Sequence, residues 1–454
     1  VAIAAGIAVA VVPLTADPGA RLVPRDRIDP ELVVRERPSP LSGYRSWFQD
    51  ERFAEPLFEI SAPDGGPDRL GLAVLGRYDG AEFHVGDPGA SGERFTRFPS
   101  GETPRDPVAV EVTVASGYAD IWVPLAADLS APPRFGGPRA DALTEGFYLN
   151  RGSGTGVAVP TAEGLRAGDT VTLTVPRAAP APLSAGPASA DPLLGLDAMP
   201  ELSAWLRAQA QPRTAAGLTE LIDRLGQRGY LSHALSVEAD GALWLDDLRE
   251  RGGGRFLPSY AGHSTARIEE LFAQLNEQQR AAGQSAGDPA LVAGIGDDEQ
   301  FAAAAALLAR ALGYDSRVVV GVRLAGEDPA SAALAVPPCA ERCSGGNLAA
   351  WVEVRGDDDR WVALDASPQW QSVPTELNEG EQLPKYATVP RDLSASDAPP
   401  PLGLGEHDAP AATDSPEPGS DSALWPILRA AALSVAALLL LALPVLFLPV
   451  AKRL

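Results

Sequence analysis

Between positions 41 and 176 apolar residues recur at every second place. Val108, Val110, Val112 and Val114 alternate with Ala109, Glu111 and Thr113, the period of a strand with one buried face. Residues 69–78 (RLGLAVLGRY) alternate in the same way before the turn signal Asp79-Gly80, and Val171, Leu173 and Val175 give a further strand. Short strands cut by Gly/Pro turns predict an all-β sandwich domain over 41–177. Its bland reading is a structural spacer; a binding role would need an exposed apolar or aromatic groove. Residues 178–199 are rich in Pro, Ala and Ser and read as a linker. Beyond them the period lengthens. Helices are expected over 200–209, 215–229, 268–282 and 298–312, with Gly229 and Gly313 as stops. An apolar strand follows over 317–324, then strands over 349–355 and 360–365 joined by the acidic turn 356–359. Helices followed by strands predict an α+β domain over 200–393.

The two ends differ from this pattern. Residues 1–16 are apolar and uncharged, and read as the end of a truncated transmembrane helix. Residues 17–40 (Pro, Arg, Asp) and 394–423 (Pro, Ala, acidic) read as linkers. Over 424–454 an uncharged Ala/Leu/Val stretch starts near Trp425 and ends at Lys452-Arg453, a transmembrane helix with a basic cytoplasmic end. The bulk of the chain between the two is then expected outside the cell membrane.

Charge narrows the function. Asp and Glu number 60 against 37 Lys and Arg, a net charge of −23, which repels phosphate backbones and argues against nucleic acid. Cys339 and Cys343 stand close together, and the spacing leaves open a small disulfide loop or two free thiols. With four histidines, His84, His233, His263 and His407, no Cys/His cluster has zinc-site spacing. No metal or cofactor is expected.

Three blocks carry candidate chemistry. Gly296-Asp297-Asp298-Glu299-Gln300-Phe301-Ala302 opens the fourth helix, and Arg310-Ala311-Leu312-Gly313 closes it. Ala349-Ala350-Trp351-Val352-Glu353-Val354 follows, and then Trp361-Val362-Ala363-Leu364-Asp365-Ala366-Ser367-Pro368. In this order they resemble the "G-x-C-x-x-F-A", "H-A-W-V-E-V" and "W-V-x-x-D-P-T-P" blocks of the transglutaminase-like superfamily. Gly229-Tyr230-Leu231-Ser232-His233 and Gly262-His263-Ser264-Thr265-Ala266-Arg267 are similar to elements of its TgpA-like, membrane-anchored actinobacterial branch. The resemblance implies a papain-like/transglutaminase-like α+β domain behind an all-β sandwich, flanked by transmembrane helices. It also implies a thiolate at a helix N-terminus, an imidazole base and an orienting carboxylate.

The departures decide the expectation. Asp298 stands at the cysteine position and Ala349 at the histidine position; only Asp365 matches. A carboxylate is a weak nucleophile toward an amide, and alanine moves no proton. The chain is therefore expected to be a pseudoenzyme, a membrane-tethered binding or scaffold module of the cell envelope. The resemblance implies peptide or cell-wall peptide stems as ligands, and envelope partners linked to a MoxR-type ATPase. The alternative is a divergent hydrolase or acyltransferase using Asp298, His233 or His263 with Asp365. His233, His263, Glu299 and Trp351 are the candidate cleft residues, each with a plainer reading: core-edge histidines, a helix-capping carboxylate and a core indole.

Overall fold

A computed structural model describes residues 29–374 apart from 87–93, 99–105, 128, 160–162, 178–181, 235–241, 284–286, 326–333 and 359. The membrane-spanning expectations at 1–16 and 424–454 lie outside the described residues, as do the linker at 394–423 and the first half of that at 17–40. Among the described residues no helix is long and apolar enough to cross a membrane.

The elements follow the periodicity closely. Helices form over Pro200–Gln209, Ala215–Arg228, Thr265–Ala282 and Asp298–Ala311. The alternating valines form the strand Pro107–Val114, whose even positions 108 to 114 are buried while 109 and 111 are exposed. It is the middle of a five-stranded antiparallel sheet ordered Arg342–Ser344, Pro56–Ser61, Pro107–Val114, Thr170–Pro176, Arg134–Gly136. A second antiparallel sheet, ordered Trp361–Leu364, Leu348–Arg355, Asp315–Arg323, Arg69–Leu75, backs the Asp298–Ala311 helix.

The two stretches expected as separate domains are interlocked. Arg69–Leu75 leaves the N-terminal strand-rich region to pair with Asp315–Arg323, in register Val319 to Val74 and Gly321 to Gly71 across a bulge. In exchange Arg342–Ser344 pairs with Pro56–Ser61. The stretch expected as a linker is also pinned. Ser189 N donates to Gly313 O (3.0 Å), Leu193 N to Arg310 O (2.8 Å) and Tyr314 Oη to Ala185 O (3.2 Å). All described residues accordingly fall in one compact unit, Val1–Pro390. A glycine marks the tightest crossing. A Cβ on Gly321 would run into Leu70 O and come within 2.8 Å of the Trp351 ring, so only hydrogen fits between the two strands.

The Asp298–Ala311 helix is buried on every side, as an Ala- and Leu-rich helix without a polar face must be. Ser316 Oγ donates to Ala306 O (2.7 Å), fastening it to the sheet. Its start is a capping box: Glu299 N donates to Asp297 Oδ1 (3.1 Å) and Asp297 N to Gln300 Oε1 (3.0 Å). Two backbone donors at the helix start, Asp297 N and Glu299 N, are thus taken up by side chains of the chain's own first turn.

Candidate functional site

The start of this helix brings three consecutive acids into the interior. Asp297, Asp298 and Glu299 are all 0% exposed. Buried charge is costly unless it is paired, and each acid has its own basic partner.

Asp297 faces Arg45 and His233. Arg45 Nε donates to Asp297 Oδ2 at 2.8 Å, and His233 Nδ1 lies 3.2 Å from the same oxygen. The topology explains the second contact. Gly229–Leu231 pairs in parallel with Gly294–Gly296, Leu231 opposite Gly296, so the residues just beyond each strand meet. Burial alone would push the Asp297 carboxyl up; Arg45 and His233 overcome it and hold the group below the ordinary carboxylate range. Burial pushes His233 below the ordinary imidazole range, against the pull of Asp297. Its ring stacks on Phe48 at 3.5 Å and 7° and meets Trp244 edge-on at 5.2 Å.

Glu299 faces His263, with Nδ1 to Oε1 at 2.9 Å. His263 Nε2 lies 2.9 Å from Phe83 N. A backbone N–H can only donate, so Nε2 is the accepting nitrogen and Nδ1 carries the proton given to Glu299. Both ring nitrogens are spent on holding Phe83 to the helix start.

Asp298 faces Arg323, a residue the sequence did not single out. Arg323 ends the Asp315–Arg323 strand. Its NH2 donates to Asp365 Oδ1, to Ser367 Oγ (3.0 Å) and, at 3.4 Å, to Ala350 O. Its NH1 is 3.6 Å from Asp298 Oδ2, and that oxygen also accepts from Ala350 N at 3.3 Å. Asp298, Arg323 and Asp365 therefore form an acid–base–acid row across the helix start and two strand ends. Burial raises the Asp298 carboxyl, opposed chiefly by Arg323. Burial would lower the Arg323 guanidinium, but Asp365 and Asp298 drive it up instead, so it stays charged. Asp298 Oδ1 and Arg323 Nε and NH1 are buried with no hydrogen-bond partner among the described residues. The side chain of Asp365 is 29% exposed and forms the outer end of the row.

The sequence-derived candidates are thus brought to one place but not into one constellation. His233 bonds to Asp297 and His263 to Glu299; neither has a hydrogen bond to Asp298 or Asp365. Ala349 is buried, paired with Gly321 in the sheet. Trp351 is buried rather than lining a cleft, with its Nε1 donating to Glu353 Oε1 (3.4 Å) and Arg69 5.4 Å from its ring centre. Cys339 and Cys343 form a disulfide, which settles the choice the spacing left open. Among the described residues no group of His, Cys, Asp and Glu is arranged to hold a metal ion.

Residues 263–366 match the family model of the transglutaminase-like superfamily. This chain carries a transglutaminase-like domain. The match runs from His263 through the Asp298 helix and the Ala349 strand to the residue after Asp365. The crystal structure of the periplasmic domain of TgpA from Pseudomonas aeruginosa bound to ethylmercury is similar over 72% of this chain and 93% of that one, at 15% identity and a TM-score of 0.40. A second crystal structure of that periplasmic domain is similar over 72% and 91%, at 14% identity and a TM-score of 0.38. No curated protein matches the chain. Arg323, within the matched residues, and Arg45, outside them, are the site residues that motif reading passes over. The available signal was charge: three acids open a helix that is otherwise apolar, and such a helix start needs cations.

Proposed function

We propose that the transglutaminase-like domain is catalytically inactive and serves as a binding or scaffold module, held outside the cell membrane by the apolar stretch before Lys452-Arg453. The observation that carries this reading is the Asp298–Arg323–Asp365 row. Acyl transfer needs a nucleophile, a base that gives and takes a proton, and a group that orients the base. Asp298 is a buried carboxylate whose Oδ2 accepts from Ala350 N and faces the Arg323 guanidinium, and a carboxylate is a weak nucleophile toward an amide. Arg323 cannot act as a base, because two carboxylates hold its proton. Asp365 orients that guanidinium and no imidazole.

The enzyme alternative, with His233 or His263 serving Asp298 and Asp365, loses support for the same reason: each histidine is committed to a different acid. The Cys339–Cys343 disulfide agrees with an oxidising compartment. As ligand we propose peptide or cell-wall peptide stems, since the frame of the domain outlasts the loss of its reacting groups, and as partners envelope proteins linked to a MoxR-type ATPase.

The test is an assay of amine incorporation and amide hydrolysis with the full chain in detergent. No turnover is expected. Turnover that Asp298→Ala abolishes would refute the inactive reading. In the reciprocal experiment, Asp298→Cys with Ala349→His stays inert while Arg323 remains, because the guanidinium pairs with the carboxylate that must orient the new imidazole. Adding Arg323→Ala is expected to make the thiol reactive toward iodoacetamide.

A further inference from the structure

The start of the Asp298 helix is covered by the chain's own N-terminal side. Residues 41–55 hold a 3-10 turn, Tyr44–Phe48, and a single helical turn, Asp50–Phe53. Neither pairs with a sheet, and elements this short have little stability of their own. They are held by side chains that reach to both walls of the site. Tyr44 is fully buried, and its hydroxyl donates to Leu348 O (3.1 Å), the residue before Ala349. Arg45 reaches the opposite wall: beyond Asp297 it donates to Gln300 Oε1 (3.0 Å), Ser259 O (2.6 Å) and Tyr260 O (3.1 Å). Phe48 lies flat on His233. Asp50 Oδ1 accepts from Leu243 N (2.9 Å), and Glu55 O from Gly345 N (3.1 Å).

The facing wall is shaped for this segment. A Cβ on Gly346 would come within 2.6 Å of the Phe53 ring, and one on Gly345 would run into Arg52 O. The Gly345-Gly346 pair lets the segment lie against the turn that leads into the Leu348–Arg355 strand.

We propose that residues 41–55 are an intramolecular plug, an autoinhibitory contact that closes the groove between the Asp297–Asp298 helix start and the 345–349 turn. A ligand reaches Asp298 only after this segment swings out. Opening breaks side-chain contacts and the backbone bond from Gly345 N to Glu55 O but no sheet pairing, so it is a local event, separable from unfolding of the two sheets. The proposal concerns access alone and holds whether the opened groove binds or does nothing. Its failure is therefore distinct from failure of the binding reading.

The test uses the full chain and needs no ligand. Hydrogen exchange is followed in the wild type, in Phe48→Ala and in the milder Arg45→Lys. The expected result is loss of protection, by about ten-fold or more, confined to 41–55, the first turn of the Asp298 helix and 345–349. The Pro200–Gln209 and Thr265–Ala282 helices should keep wild-type exchange. As a second readout, the Asp298→Cys thiol should react slowly with N-ethylmaleimide, and about ten-fold faster or more when Phe48→Ala is added. Exchange that rises uniformly, exchange that does not change, a maleimide rate that Phe48→Ala leaves unaltered, or failure of both variants to fold would each overturn the proposal and make the segment an integral part of the core.

Discussion

Replacing Arg323 with methionine would strand Asp298. The arginine side chain is 4% exposed and the Asp298 side chain 0%, so no water replaces the lost charge, whereas Asp365 at 29% can turn outward. Removing one partner of a buried pair costs about 3–5 kcal/mol, while exchanging the whole set for neutral groups of similar volume costs far less. Arg323→Met is therefore expected to lower stability by about 3–5 kcal/mol near neutral pH, and Arg323→Met with Asp298→Asn by about 1–2. The sign of the pH dependence follows from Asp298, whose folded pKa is already raised by burial. Without Arg323 it rises further above the unfolded value. The penalty is then full above the folded pKa and fades as pH falls toward the unfolded value of about 3.9. Urea unfolding followed by tryptophan fluorescence at pH 7.5 and at pH 5 measures both effects. A cost below about 1 kcal/mol at both pH values, or no rescue by Asp298→Asn, would refute the argument that this row is an electrostatic unit.

Four further outcomes follow from the same site. Arg45→Ala leaves Asp297 buried and paired only with His233, and should cost about 3–5 kcal/mol in the same urea assay. His233, held low by burial, contributes stability above its unfolded pKa of 6.5 that is lost as pH falls through its folded value; the thermal midpoint should drop on acidification, and His233→Gln should flatten that profile. His263→Phe leaves Phe83 N and Glu299 without their shared partner and should cost about 1–3 kcal/mol, read by urea unfolding. Cys339→Ser with Cys343→Ser opens a short loop and should lower stability by about 2 kcal/mol, measured against the oxidised wild type.

The elements of the fold were legible because their signals are local. The alternation at Val108 to Val114 and the stops at Gly229 and Gly313 are read within a dozen residues, and helices and strands appear where they point. The Leu243–Glu250 helix was not foreseen; Trp244, Leu245 and Leu248 give it too short an apolar stripe to stand out. Strand partners were not legible at all. The pattern RLGLAVL fixes which face of Arg69–Leu75 is buried but not that its neighbour lies some 250 residues away, because pairing depends on non-local packing. Alternation looks the same whichever sheet a strand joins, so the exchange of Arg69–Leu75 and Arg342–Ser344 between the two stretches is not legible in it.

The site shows the same limit in its chemistry. Motif reading places Asp298, Ala349 and Asp365 in one region because their spacing follows helix, strand and strand. It could not see Arg323, which closes an apolar run of valines and looks like an ordinary strand end. Yet charge alone makes such a residue necessary. A helix start with Asp297, Asp298 and Glu299 inside the protein must bring in cations or give up ionisation. The chain meets that demand with Arg45 at Asp297 and with Arg323 at Asp298, while Glu299 is held by a hydrogen bond from the His263 Nδ1–H. Once an acid stands at the first helical position, the group across the groove has to hold a proton permanently rather than exchange it. An arginine there stabilises the fold for the same reason that it excludes proton transfer.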